Sequence, residues 1–231
     1  KVAKDRRKWA RKNDVSCYRI YDADLPDFAV AIDRYDGVWK SEGQSCLIMA
    51  EYQAPKTIDQ AKAEARFEDA VAIASAVTGI PSGRVFAKTR RREKGGGQYV
   101  DQQKEGYLMF TQETGNIFEV DMGSYLDTGI FLDHRVTREM VGEMADGKRF
   151  LNLFSYTGTC TVHAAVGGAA STLTVDLSQT YLNWARRNMA LNGCDGSEHR
   201  FERADVLQWM VRAVKGDERF DLIFVDPPTF S

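Results

Sequence analysis

From Arg149 onward, short apolar runs alternate with helix-forming segments, and this rhythm leaves few folds open. Phe150-Leu-Asn-Leu-Phe154 predicts a strand, Thr159 to Val166 a helix, and Leu173-Thr-Val-Asp176 a second strand. Tyr181 to Leu191 predicts a helix stopped by Asn192-Gly193, since glycine takes the left-handed backbone that ends a helix. Ser197 to Arg203 leads into Ala204-Asp205, Val206 to Val214 predicts another helix, and Phe220-Asp-Leu-Ile-Phe-Val225 a fourth strand. Strands and helices in strict alternation imply parallel βαβ units with right-handed crossovers, hence an α/β fold.

The first half has a different rhythm. Phe28 to Arg34 alternates its apolar side chains as a half-buried strand does, and Cys46 to Tyr52 is a second strand-like run, with Gly37 and Gly43 in the turn region between them. Thr57-Ile-Asp-Gln60 has the spacing of a capping box, so the alanine-rich stretch Ala61 to Val77 predicts a helix that stops at Gly79-Ile-Pro81. Val85 to Thr89 predicts a strand, and Tyr107 to Thr111 with Ile117 to Val120 a hairpin about Thr114-Gly-Asn116. The expected organisation is a basic linker helix over residues 1–17, a small mixed α/β domain that binds RNA or substrate over 18–121, and a larger α/β domain over 122–231.

An apolar share of 43% in 231 residues supports a packed core, and no apolar run approaches the length of a membrane span. Cys17, Cys46, Cys160 and Cys194 lie far apart, without a CxxC pair or adjacent histidines. Neither a disulfide framework nor a metal site is therefore expected, and a reducing cytoplasmic setting without membrane attachment fits. Net charge is −2, so any nucleic acid must be met by local basic patches. Lys1 to Lys12 is one such run; a solvated tether is the plainer reading and an RNA-gripping arm the other. Arg90-Arg-Arg-Glu-Lys-Gly-Gly-Gly-Gln98 is a second, and Arg90, Arg91, Arg92 and Lys94 are candidates to follow a phosphate backbone.

A parallel sheet binds its ligand at the carboxyl ends of its strands. There the first strand runs into Phe154-Ser-Tyr-Thr-Gly158, a small turn that lets backbone approach a ligand. Asp176 follows Gly158 by eighteen residues, the distance at which an acidic side chain meets ribose hydroxyls in nucleotide folds. Asp205 ends the next junction and Asp226-Pro227-Pro228 the fourth, where two prolines hold the loop in one shape. Singly, Asp176 and Asp205 are also ordinary helix caps, and Asp226 an ordinary exposed carboxylate; a redox dinucleotide site is the rival reading, which lacks the Asp-Pro-Pro element.

Asp226-Pro-Pro-Thr-Phe-Ser231 resembles the fourth motif of class I methyltransferases that act on nucleic acids. Phe150 to Gly158, Tyr125-Leu-Asp-Thr-Gly-Ile-Phe-Leu-Asp-His-Arg135 and Cys17-Tyr-Arg-Ile-Tyr-Asp-Ala-Asp-Leu-Pro26 together resemble the C-terminal half of the bacterial large-subunit ribosomal RNA methyltransferase K/L group, over nearly the whole chain. The resemblance implies a Rossmann-like class I domain that uses S-adenosyl-L-methionine to methylate guanine N7 of 23S rRNA, with a guanine-N2 methyltransferase preceding it on the same polypeptide. It implies cofactor contacts at Phe154, Ser155, Tyr156, Thr157, Gly158, Asp176, Ser178, Asp205 and Asp226, and a closing segment Asp127 to Arg135 that brings Asp133 and Arg135 near the amino acid end. Asp133 is alternatively an N-cap for a helix over Arg135 to Met144. Asp226 and Pro227 would border the methyl group; Phe230 is a candidate to stack on the target base, or else a core aromatic. Because the chain starts without Met and stops at Ser231, a longer protein is expected, its sheet continuing beyond the fourth strand.

Two alternatives stay open at the level of sequence. A cytosine-C5 methyltransferase needs a cysteine nucleophile; Cys160 lies at the start of the helix after the glycine turn, beside the expected cofactor site, and that group's usual nucleophile position would fall beyond Ser231. Thr229 departs from the lysine of that group's Asp-Pro-Pro-Lys-Phe-Ser form. A non-catalytic RNA-binding module that retains the cofactor fold is the other alternative.

Overall fold

The computed structural model describes residues 1–25, 27–51, 60–89 and 106–228, with the side chains of 60–63 and 89 left out. The start of the capping box, the basic loop with Arg90, Arg91, Arg92 and Lys94, and the terminal Thr229, Phe230 and Ser231 lie outside the described residues. The chain forms two compact units. Lys1–Gly115 with Val120–Thr128 makes the first, and Asn116–Glu119 with Gly129–Ser231 the second.

In the first unit, helix α1 (Val2–Lys12) precedes strands β1 (Cys17–Asp22), β2 (Val30–Asp36) and β3 (Ser45–Glu51). Helix α2 (Gln60–Thr78) then crosses over to β4 (Val85–Thr89). The sheet order is β1-β2-β3-β4, antiparallel except for the β3–β4 pair, which the crossover helix makes parallel. Gly79 ends α2 at φ 73, the left-handed stop that its sequence signalled. One core joins Val30, Ile32, Leu47 and Met49 of the sheet to Ala70 and Ala74 of α2 and Ala10 of α1. The expected linker helix is thus anchored: Ala10 is buried, Trp9 packs beside it, and the cations Lys4, Arg6, Arg7, Lys8, Arg11 and Lys12 share the remaining surface. Strands β5 (Leu108–Glu113) and β6 (Asn116–Asp121) form the expected hairpin, with Thr114 and Gly115 both at positive φ in the two-residue turn.

The second unit runs α3 (Arg135–Met144), β7 (Arg149–Leu153), α4 (Thr159–Val166), β8 (Ser171–Asp176), α5 (Gln179–Leu191), β9 (His199–Arg203), α6 (Val206–Ala213) and β10 (Leu222–Val225). Its sheet is parallel throughout, in the order β10-β7-β8-β9. Alternation along β7 sends Phe150 to one face, against Val141, Ala145, Cys160 and Ala164 of α3 and α4. Leu151 and Leu153 go to the other, against Val206 and Trp209 of α6. Both faces are therefore covered, which is why Phe150, Leu151 and Leu153 are apolar; the buried Asn152 between them is met by the Thr161 hydroxyl at 2.9 Å. Because the chain leaves β7 toward β8 and returns on its far side as β10, a crevice opens at the carboxyl ends of β7 and β10, where α/β sheets hold ligands. No helix among the described residues is long and apolar enough to cross a membrane.

Candidate ligand site at the carboxyl ends of the second sheet

The turn after β7 is wound tightly. Phe154, Tyr156 and Gly158 all have positive φ, at 58, 51 and 71. For a non-glycine residue this backbone costs about 1–3 kcal/mol and persists only where the surroundings over-determine it. Asp176, at the end of β8, supplies part of that constraint: its Oδ2 accepts the Tyr156 N–H at 2.9 Å and its Oδ1 the Ser178 N–H at 2.8 Å. The Thr157 hydroxyl donates to the Gly129 carbonyl at 2.5 Å, and the Asn188 side-chain amide donates to the Thr157 carbonyl at 2.9 Å. Ser155 is buried, and its hydroxyl has no hydrogen-bond partner among the described residues.

Gly158 has two independent reasons to be glycine. It is the left-handed N-cap of α4, and a Cβ there would stand 2.6 Å from the Ala185 Cβ on α5. Gly129 is similar: at φ 103, its Cβ would lie 2.4 Å from the Trp184 ring.

The caps divide differently from the sequence expectation. Asp176 caps no helix; Ser178 is the N-cap of α5 and accepts from the Tyr181 N–H. Asp205 does cap α6, accepting the Gln208 N–H at 2.9 Å through one carboxylate oxygen. Asp133 is not the N-cap of α3. That position is His134, which makes no side-chain cap bond, because Leu132–His134 forms a short 3-10 turn that runs straight into the helix. Arg135 pairs with Glu139 one turn on, at 3.0 Å, rather than standing alone at the crevice.

Three aromatic rings meet above the turn. Tyr156 lies 5.1 Å from Phe131 and 4.7 Å from Tyr181, centroid to centroid. His134 Nδ1 is 3.4 Å from Asp226 Oδ2, so the segment before α3 reaches the end of β10. The structure thus gathers Phe154 to Gly158, Asp176 and Ser178 in one place, and links Asp226 to the segment carrying Asp133 and Arg135. Pro227 is exposed beside Asp226. Cys160 is buried in the first turn of α4; burial pushes its thiol up to about 12, with Arg138 opposing and Asp226 adding. A thiol held protonated there is a poor nucleophile.

Sequence reasoning missed Phe131, Tyr181 and His134, and it missed the side chains that secure the turn from behind. Asn188 on α5 and Asn192, the C-cap one turn on, hold the β6 segment Asn116–Glu119 as a strand partner would. Asn188 Oδ1 accepts the Glu119 N–H at 3.0 Å, while Asn192 exchanges two 2.8 Å bonds with Ile117. Trp184 Nε1 donates to the Glu119 carbonyl, and Arg187 forks onto the Glu119 carboxylate. Asn188 is fully buried and bridges this segment to Thr157. Asn188→Ala is expected to destabilise the second unit by about 2–4 kcal/mol, since it strands a buried N–H and a buried carbonyl at once. Denaturant unfolding of the Ala and Asp variants checks this: Asp keeps the acceptor but sets a buried carboxylate against the Thr157 carbonyl, and should lose at least as much as Ala near neutral pH.

The S-adenosylmethionine-dependent methyltransferase family model matches residues 39–231. Ribosomal RNA large subunit methyltransferase K/L of Vibrio parahaemolyticus is 53% identical over 224 residues, 97% of this chain, and the chain spans 30% of the length of that relative. Among solved structures, a methyltransferase complexed with SAH aligns with 99% of this chain and 56% of its own, at 26% identity and a TM-score of 0.72. A SAM-dependent methyltransferase from Streptococcus mutans aligns with 98% and 56%, at 26% identity and a TM-score of 0.70.

Proposed function

Because the chain belongs to the S-adenosylmethionine-dependent methyltransferase family, we propose that it is the half of a bacterial large-subunit ribosomal RNA methyltransferase that methylates guanine N7 in 23S rRNA. The 53% identity to the Vibrio methyltransferase K/L supports the rRNA substrate. The 30% share of that relative's length supports fusion to a further half, assigned here as a guanine-N2 methyltransferase preceding this one in a cytoplasmic protein.

The crevice fits the cofactor on its own geometry. The buried Ser155 hydroxyl lacks a partner among the described residues, and the Asp176 carboxylate is already oriented by two N–H groups at the strand end. Phe154 to Gly158 would hold the methionine part, with Asp133 and Arg135 near its amino acid end. Asp176 and Ser178 would meet the ribose, and the second carboxylate oxygen of Asp205 the adenine. S-adenosylmethionine supplies, when bound, a methyl group on a positively charged sulfur. The protein's part is to align the base: Asp226 with rigid Pro227 and Pro228 borders the reacting centre, and Phe230 stacks on the flipped guanine. Such alignment can lower a barrier by about 7–11 kcal/mol. Guanine N7 already carries a lone pair, so no side chain has to remove a proton. In this reading Arg90, Arg91, Arg92 and Lys94 follow the RNA backbone.

The observation that favours N7 over cytosine C5 is Thr229, which stands where the C5 group carries lysine in Asp-Pro-Pro-Lys-Phe-Ser; Cys160, buried with its thiol pushed up, adds no reactive thiol to the described part of the crevice. The test uses the full-length protein. Each of Cys17, Cys46, Cys160 and Cys194 replaced by Ser should retain substantial methylation of 23S rRNA, with 7-methylguanine found by mass spectrometry of the product. A product of 5-methylcytosine, or a trapped cysteine–RNA adduct, would overturn the assignment. Cofactor binding without any methylated product would make the chain a binding module instead.

A further inference from the structure

A second cavity, of about 500 Å³, lies within the first unit, between α1 and the ends of β1, β2 and β3. Arg7, Arg11, Tyr18, Arg34, Asp36 and Gln112 are among the residues that line it, Arg7 and Arg11 exposed and Tyr18 and Arg34 buried. Its charges do not cancel evenly. Arg34 is buried and grips Asp36 with bonds of 2.7 and 2.9 Å, and the Ser45 hydroxyl donates to the same carboxylate at 2.6 Å. Asp14 is engaged by the Gln112 amide. These carboxylates and Arg34 are therefore satisfied within the wall.

What remains is specific. Arg7 and Arg11 sit one turn apart on the same exposed face of α1 and make no ion pair among the described residues. Tyr18 is 4% exposed, packs edge-on against Trp9, and its buried hydroxyl has no hydrogen-bond partner among the described residues. A buried hydroxyl without a partner is a loss to the fold that a ligand can make good. Two exposed guanidiniums on the lining suit a phosphate, which they bind with paired N–H groups. The rest of the lining, where Arg34 and Asp36 neutralise one another, suits the sugar or base attached to it.

We propose that this cavity is a nucleotide subsite, which takes one phosphate-bearing nucleotide of an RNA strand, the phosphate at Arg7 and Arg11 and a polar edge of the ribose or base at the Tyr18 hydroxyl. As an RNA subsite it rests on the reading that the chain acts on ribosomal RNA; as a nucleotide pocket it stands on the cavity alone. It gives the basic face of α1 a defined partner, remote in sequence from the basic run Arg90 to Lys94.

The test measures two ligands on the full-length protein with S-adenosylhomocysteine saturating. Tyr18→Phe removes one oxygen and should weaken binding of a 23S rRNA transcript about tenfold, the scale of one hydrogen bond to a charged or polar ligand. Arg7→Gln with Arg11→Gln should flatten the salt dependence of that binding by about 1.4–1.8 in log–log slope, for two lost phosphate contacts. Uridine 5′-monophosphate, followed by ligand-observed NMR, should bind wild type, bind Tyr18→Phe less, and outcompete uridine. If Tyr18→Phe, folded as judged by its melting curve, holds both rRNA and the mononucleotide as wild type does, the subsite is overturned. A loss confined to the arginine pair overturns it too, since a plain charged helix face would do the same. Wild type that holds the mononucleotide through Tyr18 but no rRNA would refute the rRNA reading and leave the pocket standing.

Discussion

Gly158→Val is expected to unfold the cofactor turn and to cost the second unit about 2–5 kcal/mol, the sum of a left-handed backbone forced on a side chain and an overpacked contact. The backbone share comes from φ 71 at this position, which a β-branched residue resists most. The packing share comes from the Ala185 Cβ on α5, 2.6 Å from where the new Cβ would sit. Gly193 separates the two shares. It has nearly the same φ, 69, with nothing within 4 Å of its position, so Gly193→Val carries the backbone share alone. Denaturant unfolding of the two variants in the full-length protein should therefore differ, Gly158→Val losing more. Equal losses would show that the approach of α5 to the turn does not matter. Binding of S-adenosylhomocysteine to Gly158→Val should drop below detection, whereas Gly193→Val should bind as wild type does.

Asp176→Ala should weaken cofactor binding by about 1–3 kcal/mol, or roughly five- to 150-fold, the range for buried polar groups left without a partner. This carboxylate has one observed task and one proposed. It holds the Tyr156 and Ser178 N–H groups, and so fixes the turn after β7 against the start of α5; in the proposed site its remaining lone pairs accept from the ribose hydroxyls. Asp176→Asn keeps one carbonyl oxygen and sets an NH2 against the other N–H, so it should be intermediate or worse, but not neutral. Calorimetry with S-adenosylhomocysteine reads the affinity, and single-turnover methylation reads the chemical step. The loss should fall mainly on affinity. An unchanged affinity in a folded Ala variant would remove Asp176 from the cofactor site.

Much of the second unit was legible in the sequence. The strands β7, β8 and β10 and the helices α3 and α4 appear where apolar runs and stop signals placed them, because strand and helix periodicities are local. The turn Phe154 to Gly158 and the acidic residue ending β8 followed from the same rhythm, since parallel sheets put loops of this kind at their carboxyl ends. Strand β1 was not read as a strand: its Arg19 faces outward to pair with Asp33, and a register shift between Arg19 and Tyr21 breaks the pattern of two.

What sequence alone could not decide was which side chain answers which. Asp133 had the composition of a helix cap, yet a 3-10 turn left the cap position to His134, while the cap of α5 fell to Ser178. Asn188 carried no signal of its own, and Asn192 read only as a helix stop. Their targets, Glu119 and Ile117, lie 69 and 75 residues away, and they pull four residues of β6 out of the first unit into the second. The cavity at Tyr18 has the same origin, since Arg7, Tyr18, Arg34 and Gln112 come from three strands and a helix. Periodicity and turn chemistry act between residues a few positions apart, and so the sequence determined the elements and the strand ends of this protein. Hydrogen-bond partners, the necessity of Gly158 against Ala185, and both candidate pockets depend on chain segments brought together only by packing, and there the tertiary structure decided.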